Sequence, residues 1–185
     1  MRIRAESVLS GKKKTEVLCA FCFEDTNAPI GLEKLNKKID QTILQSVKEI
    51  NGKKGKISII HSHKEILSER ILIAGLGKKS KLTSDVIRDV TGIITKKINE
   101  LKIKEFSIII PDKTPIDNNQ IISSIVEGAN LSLYEFDLFK KEKSNNKEPD
   151  LILLTSNKNA QKIIKDSIII YDAVKFTRDV ENIQP

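Results

Sequence analysis

From one end to the other, the chain alternates short apolar runs of strand character with longer segments whose apolar residues recur every three or four positions. That alternation permits few folds, because parallel strands need a long crossover between them and a helix is the usual one. Residues 2–7 and 16–23 read as strands, joined by a turn around Ser10-Gly11-Lys12. Leu32, Leu35, Ile39, Ile43, Val47 and Ile50 then form one helix face, ended by Gly52-Lys53-Lys54-Gly55. Strands at 57–61 and 70–74 follow, and Gly75-Leu76-Gly77 turns the chain. Thr83 is placed to cap a helix carrying Val86 or Ile87, Val90, Ile94, Ile98 and Leu101. A strand at 106–110 closes at Pro111, and Asn118 is read as the cap of a helix with Ile121, Ile122, Ile125, Val126 and Ala129. Residues 140–149 are polar and are expected to be a mobile loop before a last strand at 151–154.

From Asn157 onward two signals compete. Ile168-Ile169-Ile170 has strand propensity, but Ile164, Ile168, Tyr171 and Val174 keep a helical stripe with no breaker before Pro185, which predicts one long helix. The order is β-β-α-β-β-α-β-α-β-α without an internal repeat. It predicts an α/β fold: a mixed, mostly parallel sheet covered by helices on both faces.

A chain of 185 residues suits one domain, or one domain with an arm, and can bury a full core without staples. No apolar run approaches the roughly 18 residues needed to span a bilayer. The start Met1-Arg2-Ile3-Arg4-Ala5-Glu6 has no signal-peptide character, so the expected location is the cytoplasm. A net charge of +7 raises the question of nucleic acid. Yet of the 32 basic residues 27 are Lys, five are Arg, and all are spread among 25 acids. Specific nucleic-acid contacts depend on Arg forks and clustered basic faces, so a solvated Lys-rich surface is the favoured reading.

Three constellations have the letters of a site. Cys19 and Cys22 have C-x-x-C spacing, but in a strand positions three apart face opposite ways, and no second pair completes a Cys₄ zinc site. They read as buried thiols. His61 and His63 share a strand face and could meet one metal, but nothing designates further ligands, and a surface strand end is the preferred reading. Gly75-Leu76-Gly77-Lys78-Lys79-Ser80 follows a strand and precedes a helix, as a phosphate loop would. Leu72 stands where a P-loop needs its first Gly, and Ser80 where a dinucleotide loop needs its third, which leaves a tight turn. Paired acids such as Glu24-Asp25 and Asp85/Asp89 are ordinary for turns and exposed helix faces. No catalytic, cofactor-binding or metal-binding residue is assigned.

Three segments carry a family resemblance. Arg178-Asp179-Val180-Glu181-Asn182-Ile183-Gln184-Pro185 resembles the junction at which the leucine (cytosol) aminopeptidase family passes from its N-terminal into its catalytic domain. Glu127-Gly128-Ala129-Asn130-Leu131-Ser132-Leu133-Tyr134-Glu135-Phe136-Asp137 is similar to that family's Glu-Gly-x-x-x-Gly-x-Tyr-x-Phe-Asp stretch. Ile71-Leu72-Ile73-Ala74-Gly75-Leu76-Gly77-Lys78, leading to Leu82-Thr83, is similar to its strand and Gly-Leu-Gly turn. Ser132, Thr177 and Gln184 depart from the family's frequent Gly, Ala and Pro.

The resemblance implies a macro-domain-like N-terminal domain over residues 1–156 and a helix over 157–185 leading to a catalytic domain. It implies that the parent enzyme removes N-terminal amino acids from peptides with two divalent metals, zinc or manganese, held in that catalytic domain. Partners would be that domain and other copies in a homo-hexamer, with the chain itself non-catalytic and supporting assembly or substrate access. The other readings are a macro-like module binding ADP-ribose or another phosphate through residues 75–80, and a weak DNA-binding accessory. Without the catalytic neighbour, part of the Ile168, Tyr171, Val174 stripe is expected to lose its cover.

Overall fold

The computed structural model describes residues 1–7, 15–26, 28–32, 41–61, 68–111, 114–136 and 147–183. The expected turn around Ser10, the helix positions Leu35 and Ile39, His63 and residues 140–146 lie outside them. Among the described residues six strands and four α-helices follow in the expected order: β1 (Ile3–Glu6), β2 (Val17–Cys22), α1 (Gln41–Ile50), β3 (Ile57–His61), β4 (Arg70–Gly75), α2 (Ser84–Glu100), β5 (Glu105–Ile109), α3 (Asn118–Ser132), β6 (Asp150–Leu154) and α4 (Ala160–Ile183).

The strands form one sheet in the order β1-β6-β5-β2-β4-β3. Every pairing is parallel except β3 with β4. The first two strands do not pair: β6 and β5 lie between them, and β1 is an edge strand in register with β6. A sequence in which a Gly turn joins two strands suggests neighbours. In the sheet Ile3 and Ala5 stand in register with Leu151 and Leu153 of β6.

Strand alternation sorts the core into two layers. Val17, Cys19 and Phe21 of β2, with Leu72 and Ala74 of β4, face the cluster formed by α2, α3 and the start of α4. Leu18, Ala20 and Cys22, with Ile71 and Ile73, face the opposite cluster, where α1 contributes Ile43, Val47 and Ile50. Both sheet faces are covered, by three helices on one side and α1 on the other.

Helix ends follow local chemistry. Thr83 accepts from the Val86 amide at 3.3 Å and caps α2 as its position suggests. The α3 cap is Asp117, one residue before the expected Asn118: its carboxylate accepts from the Asn119 amide at 2.8 Å. A charged oxygen at the positive end of a helix is the stronger of the two caps. Asn118 instead accepts from the Asn157 side chain at 3.0 Å, and Asn119 does so at 2.8 Å, which ties the start of α3 to the turn that opens α4. That turn uses residues 157–159, so α4 begins at Ala160 rather than Asn157.

Candidate functional site

The residue groups that look chemical in the sequence are dispersed by the fold. Cys19 and Cys22 sit on opposite faces of β2, both buried. Burial raises both thiols, Cys22 to about 11 and Cys19 further, so neither is a thiolate near neutrality. His61 is exposed at the end of the edge strand β3. Asp89 pairs with Lys54 at 2.7 Å, and Asp85 with Arg88 one turn on. Among the described residues no three His, Cys, Asp or Glu side chains converge as a metal site would require. The described donor set therefore does not fit a two-metal centre.

The turn after β4 shows why its glycines are there. The amides of Gly75, Leu76 and Gly77 donate to the carbonyls of Lys56, Cys22 and Gly52 at 2.8–2.9 Å, and the Lys79 amide reaches Asp25 Oδ1 at 3.4 Å. A Cβ on Gly75 would lie 2.2 Å from the Lys53 carbonyl oxygen, so only glycine admits the α1–β3 turn against the strand end. Gly77 has φ +78, the left-handed region. These amides hold protein oxygens, and a carboxylate already stands where an anion would approach.

Two of the three segments that carry the resemblance, in α3 and at the end of α4, meet instead at a seam that α2 completes. At its head, Glu127 of α3 receives the Arg88 guanidinium of α2 at 2.7 and 2.8 Å. Beside it Gly128 lets the helices approach closely, since a Cβ there would stand 2.3 Å from the Arg88 carbonyl oxygen. One turn on, Ser132 lies opposite Gly92 of α2, where an added Cβ would meet the Ser132 Cβ at 3.4 Å. The departure from the family's usual Gly is thus accommodated by a glycine on the facing helix.

At the foot of the segment Tyr134 reaches α4. Its hydroxyl donates to Asp179 Oδ1 at 2.8 Å and accepts from Asn182 Nδ2 at 3.4 Å. The Arg178 guanidinium stands 5.5 Å from the centre of the Tyr134 ring, a cation–π distance. Asn182 also donates to the Arg178 carbonyl at 2.7 Å, closing the group. The Tyr134 hydroxyl is raised above its ordinary value, first by loss of solvent and then by its bond to Asp179. It therefore stays a donor across the neutral range. The Tyr171 hydroxyl nearby is raised as well, by burial first and Glu148 second.

A cleft of about 410 Å³ opens alongside, lined among others by Lys96, Glu100, Tyr134, Glu135, Tyr171 and Lys175. Its charges are mixed in sign and it has no activated nucleophile. Its geometry suits a joint between helices better than a reaction centre. The sequence assigned none of Arg88, Glu127, Tyr134 or Asp179 a role from spacing, because they lie 39 and 45 residues apart. Glu127, Tyr134 and Asp179 fall in the resembling segments, and Arg88 falls in none of them.

The family model described as the cytosol aminopeptidase family, N-terminal domain, matches residues 8–143. A probable cytosol aminopeptidase of Cenarchaeum symbiosum (strain A) is 35% identical over 185 residues, which is all of this chain and 37% of that protein. The chain spans about a third of the length of the curated relatives it matches. Among solved structures, the bottromycin maturation enzyme BotP in complex with Mn has a TM-score of 0.68 at 14% identity, covering 92% of this chain and 32% of that one. A tomato leucine aminopeptidase mutant has a TM-score of 0.67 at 16% identity, covering 94% and 36%. These two show the fold alone; the domain match over residues 8–143 shows the kinship: the chain belongs to the cytosol aminopeptidase family, as its N-terminal domain.

Proposed function

We propose that the chain is the non-catalytic N-terminal domain of a metal-dependent leucyl aminopeptidase, whose catalytic domain removes N-terminal amino acids from peptides. In this reading residues 1–156 form the macro-like body and residues 157–185 the helix leading onward. The observation that supports it is the family match over residues 8–143, with a relative that matches the whole chain and is nearly three times as long. The bond from Tyr134 to Asp179, with Arg178 and Asn182 around it, would then set the direction in which α4 leaves the domain. Two-metal hydrolysis needs a dense carboxylate cluster to hold the ions and activate water. In this reading zinc or manganese belongs to the catalytic domain, and the present domain orients it, supports a homo-oligomer such as a hexamer, and shapes substrate access. The cytoplasmic location follows the family; no helix among the described residues is long and apolar enough to cross a membrane.

The test is peptidase activity on an aminoacyl reporter. The 185-residue chain should give no turnover with or without manganese or zinc, and the complete product of the reading frame should give metal-dependent turnover. Metal-dependent turnover by the 185-residue chain, lost on replacing His61 and His63, would refute the non-catalytic assignment.

A further inference from the structure

The cleft beside the Tyr134 group is lined by charged side chains of both signs, and the two signs are in different states. α2 contributes Lys96 and Glu100, which share a helix face at a spacing of four, and α4 contributes Tyr171 and Lys175 in the same way. The residues just after α3 add Tyr134 and Glu135. Among the described residues Lys96, Lys175 and the Tyr171 hydroxyl have no hydrogen-bond or ion-pair partner. Two ammonium groups and a phenol that stays protonated at neutral pH thus line the cleft with their donors unspent. On the acidic side Glu100 receives Lys97 at 3.1 Å, which fills one of the roughly four lone-pair positions a carboxylate offers. α2 ends at Glu100 and α3 at Ser132, both in the lining, so each brings its partially negative C-terminal end to this cleft.

We propose that this cleft is a binding site for a free α-amino acid with an apolar side chain. A plain amine would find the carboxylates but also two unpaired ammonium groups of its own sign. A plain anion would find Lys96 and Lys175 but also Glu100, Glu135 and two helix C-termini, and a dianion such as phosphate would be repelled more strongly. A zwitterion meets both signs at once. Its carboxylate accepts from Lys96, Lys175 and the Tyr171 hydroxyl, and its ammonium donates to Glu100 and Glu135. Its side chain lies along the Tyr134 and Tyr171 rings, which are half-buried and offer apolar area without a further charge. A volume of about 410 Å³ is that of a small-molecule site. The site is built from this domain's own side chains and goes beyond the functional reading above, which adds only that the parent reaction releases molecules of this class.

Titration of the 185-residue chain with leucine, followed by amide NMR, should give saturable shifts centred on the lining residues of α2, of the turn after α3 and of α4. Leucinamide, which lacks the carboxylate, and N-acetyl-leucine, which lacks the ammonium, should each bind at least about fivefold more weakly. Lys96→Gln combined with Lys175→Gln should weaken leucine at least about tenfold, and Tyr171→Phe about threefold. Both lysines are exposed and Tyr171 is half-buried, so unchanged amide shifts in β2 and β5 will show that the variants fold. No saturable shift with leucine, or undiminished binding by the double variant, overturns the site. N-acetyl-leucine as tight as leucine overturns the amino acid in favour of a plain carboxylate, and leucinamide as tight as leucine does so in favour of a plain amine. None of these readouts uses turnover. Their failure leaves the aminopeptidase reading standing, and failure of the peptidase test leaves a measured site in place.

Discussion

The two halves of α4 are held by different physics. Up to Ser167 the helix is fixed by burial: Ile164 is fully enclosed among α3 and β1 side chains, and Ala160 nearly so. Beyond Ser167 the described side chains are half-buried or exposed: Ile168 still packs against the core, and further out the polar group around Tyr134 ties the helix to the body. Burial is non-directional and gives stability, whereas a hydrogen bond and a cation over a ring give orientation at little net stability. A domain that must fold by itself and also present a helix at a set angle has use for both.

The sharpest way to break this contrast is to truncate one apolar side chain in each half. Ile164→Ala removes a wholly buried side chain and should cost about 3 kcal/mol by urea denaturation. Phe176→Ala, further along the same helix, should change stability by no more than about 0.5 kcal/mol in the 185-residue chain. Equal losses at the two sites would mean that the outer half is covered in solution and the two halves do not differ.

How far the sequence reveals this division depends on the range of each interaction. The element order, the mixed sheet, the opposite facing of Cys19 and Cys22 and the Thr83 cap all follow from periodicity or from neighbours within four residues. The α4 faces are harder, because two apolar stripes on one helix blur the period that a single stripe makes clear. Of the stripe expected to lose part of its cover, Val174 is exposed and Ile168 and Tyr171 are half-buried, while the larger exposed surface is the opposite stripe from Ile169 to Ile183. The edge position of β1 and the contacts Arg88–Glu127 and Tyr134–Asp179 join residues far apart in the chain, and no local pattern encodes such pairs. The family resemblance took in Glu127, Tyr134 and Asp179 without saying what they do, and left Arg88 and the place of β1 in the sheet unmarked.

Alkali separates the sheet from the tip by a second route. Burial lifts Cys22 from its ordinary 9.0 to about 11, so the folded chain holds that proton more tightly than the unfolded chain does. Its contribution is complete below about pH 9 and is lost as pH rises through about 11. The gap corresponds to roughly 2–3 kcal/mol. Denaturation midpoints measured from pH 8 to 11 should fall, and Cys22→Ala should flatten part of that slope even if it lowers stability at pH 8. An unchanged slope in the variant would show that Cys22 does not lie in the enclosed α1-side core.

The smallest expected effect bears most directly on the outer half. Tyr134→Phe keeps the ring under Arg178 and removes only the hydroxyl that donates to Asp179 and accepts from Asn182. The inner half of α4 and the sheet make no use of that hydroxyl, so the global midpoint should stay where it is. The outer turns should open more often. Hydrogen exchange at neutral pH should rise about three- to tenfold for amides 178–183, while amides of β2 and β5 keep their protection. Exchange that does not change would mean the last turns are held by helix propensity alone, and the Tyr134 group would lose its role in aiming α4. A fall in the global midpoint would mean the opposite, that the tip belongs to the cooperative core. Either result would erase the distinction between a half held by burial and a half held by direction.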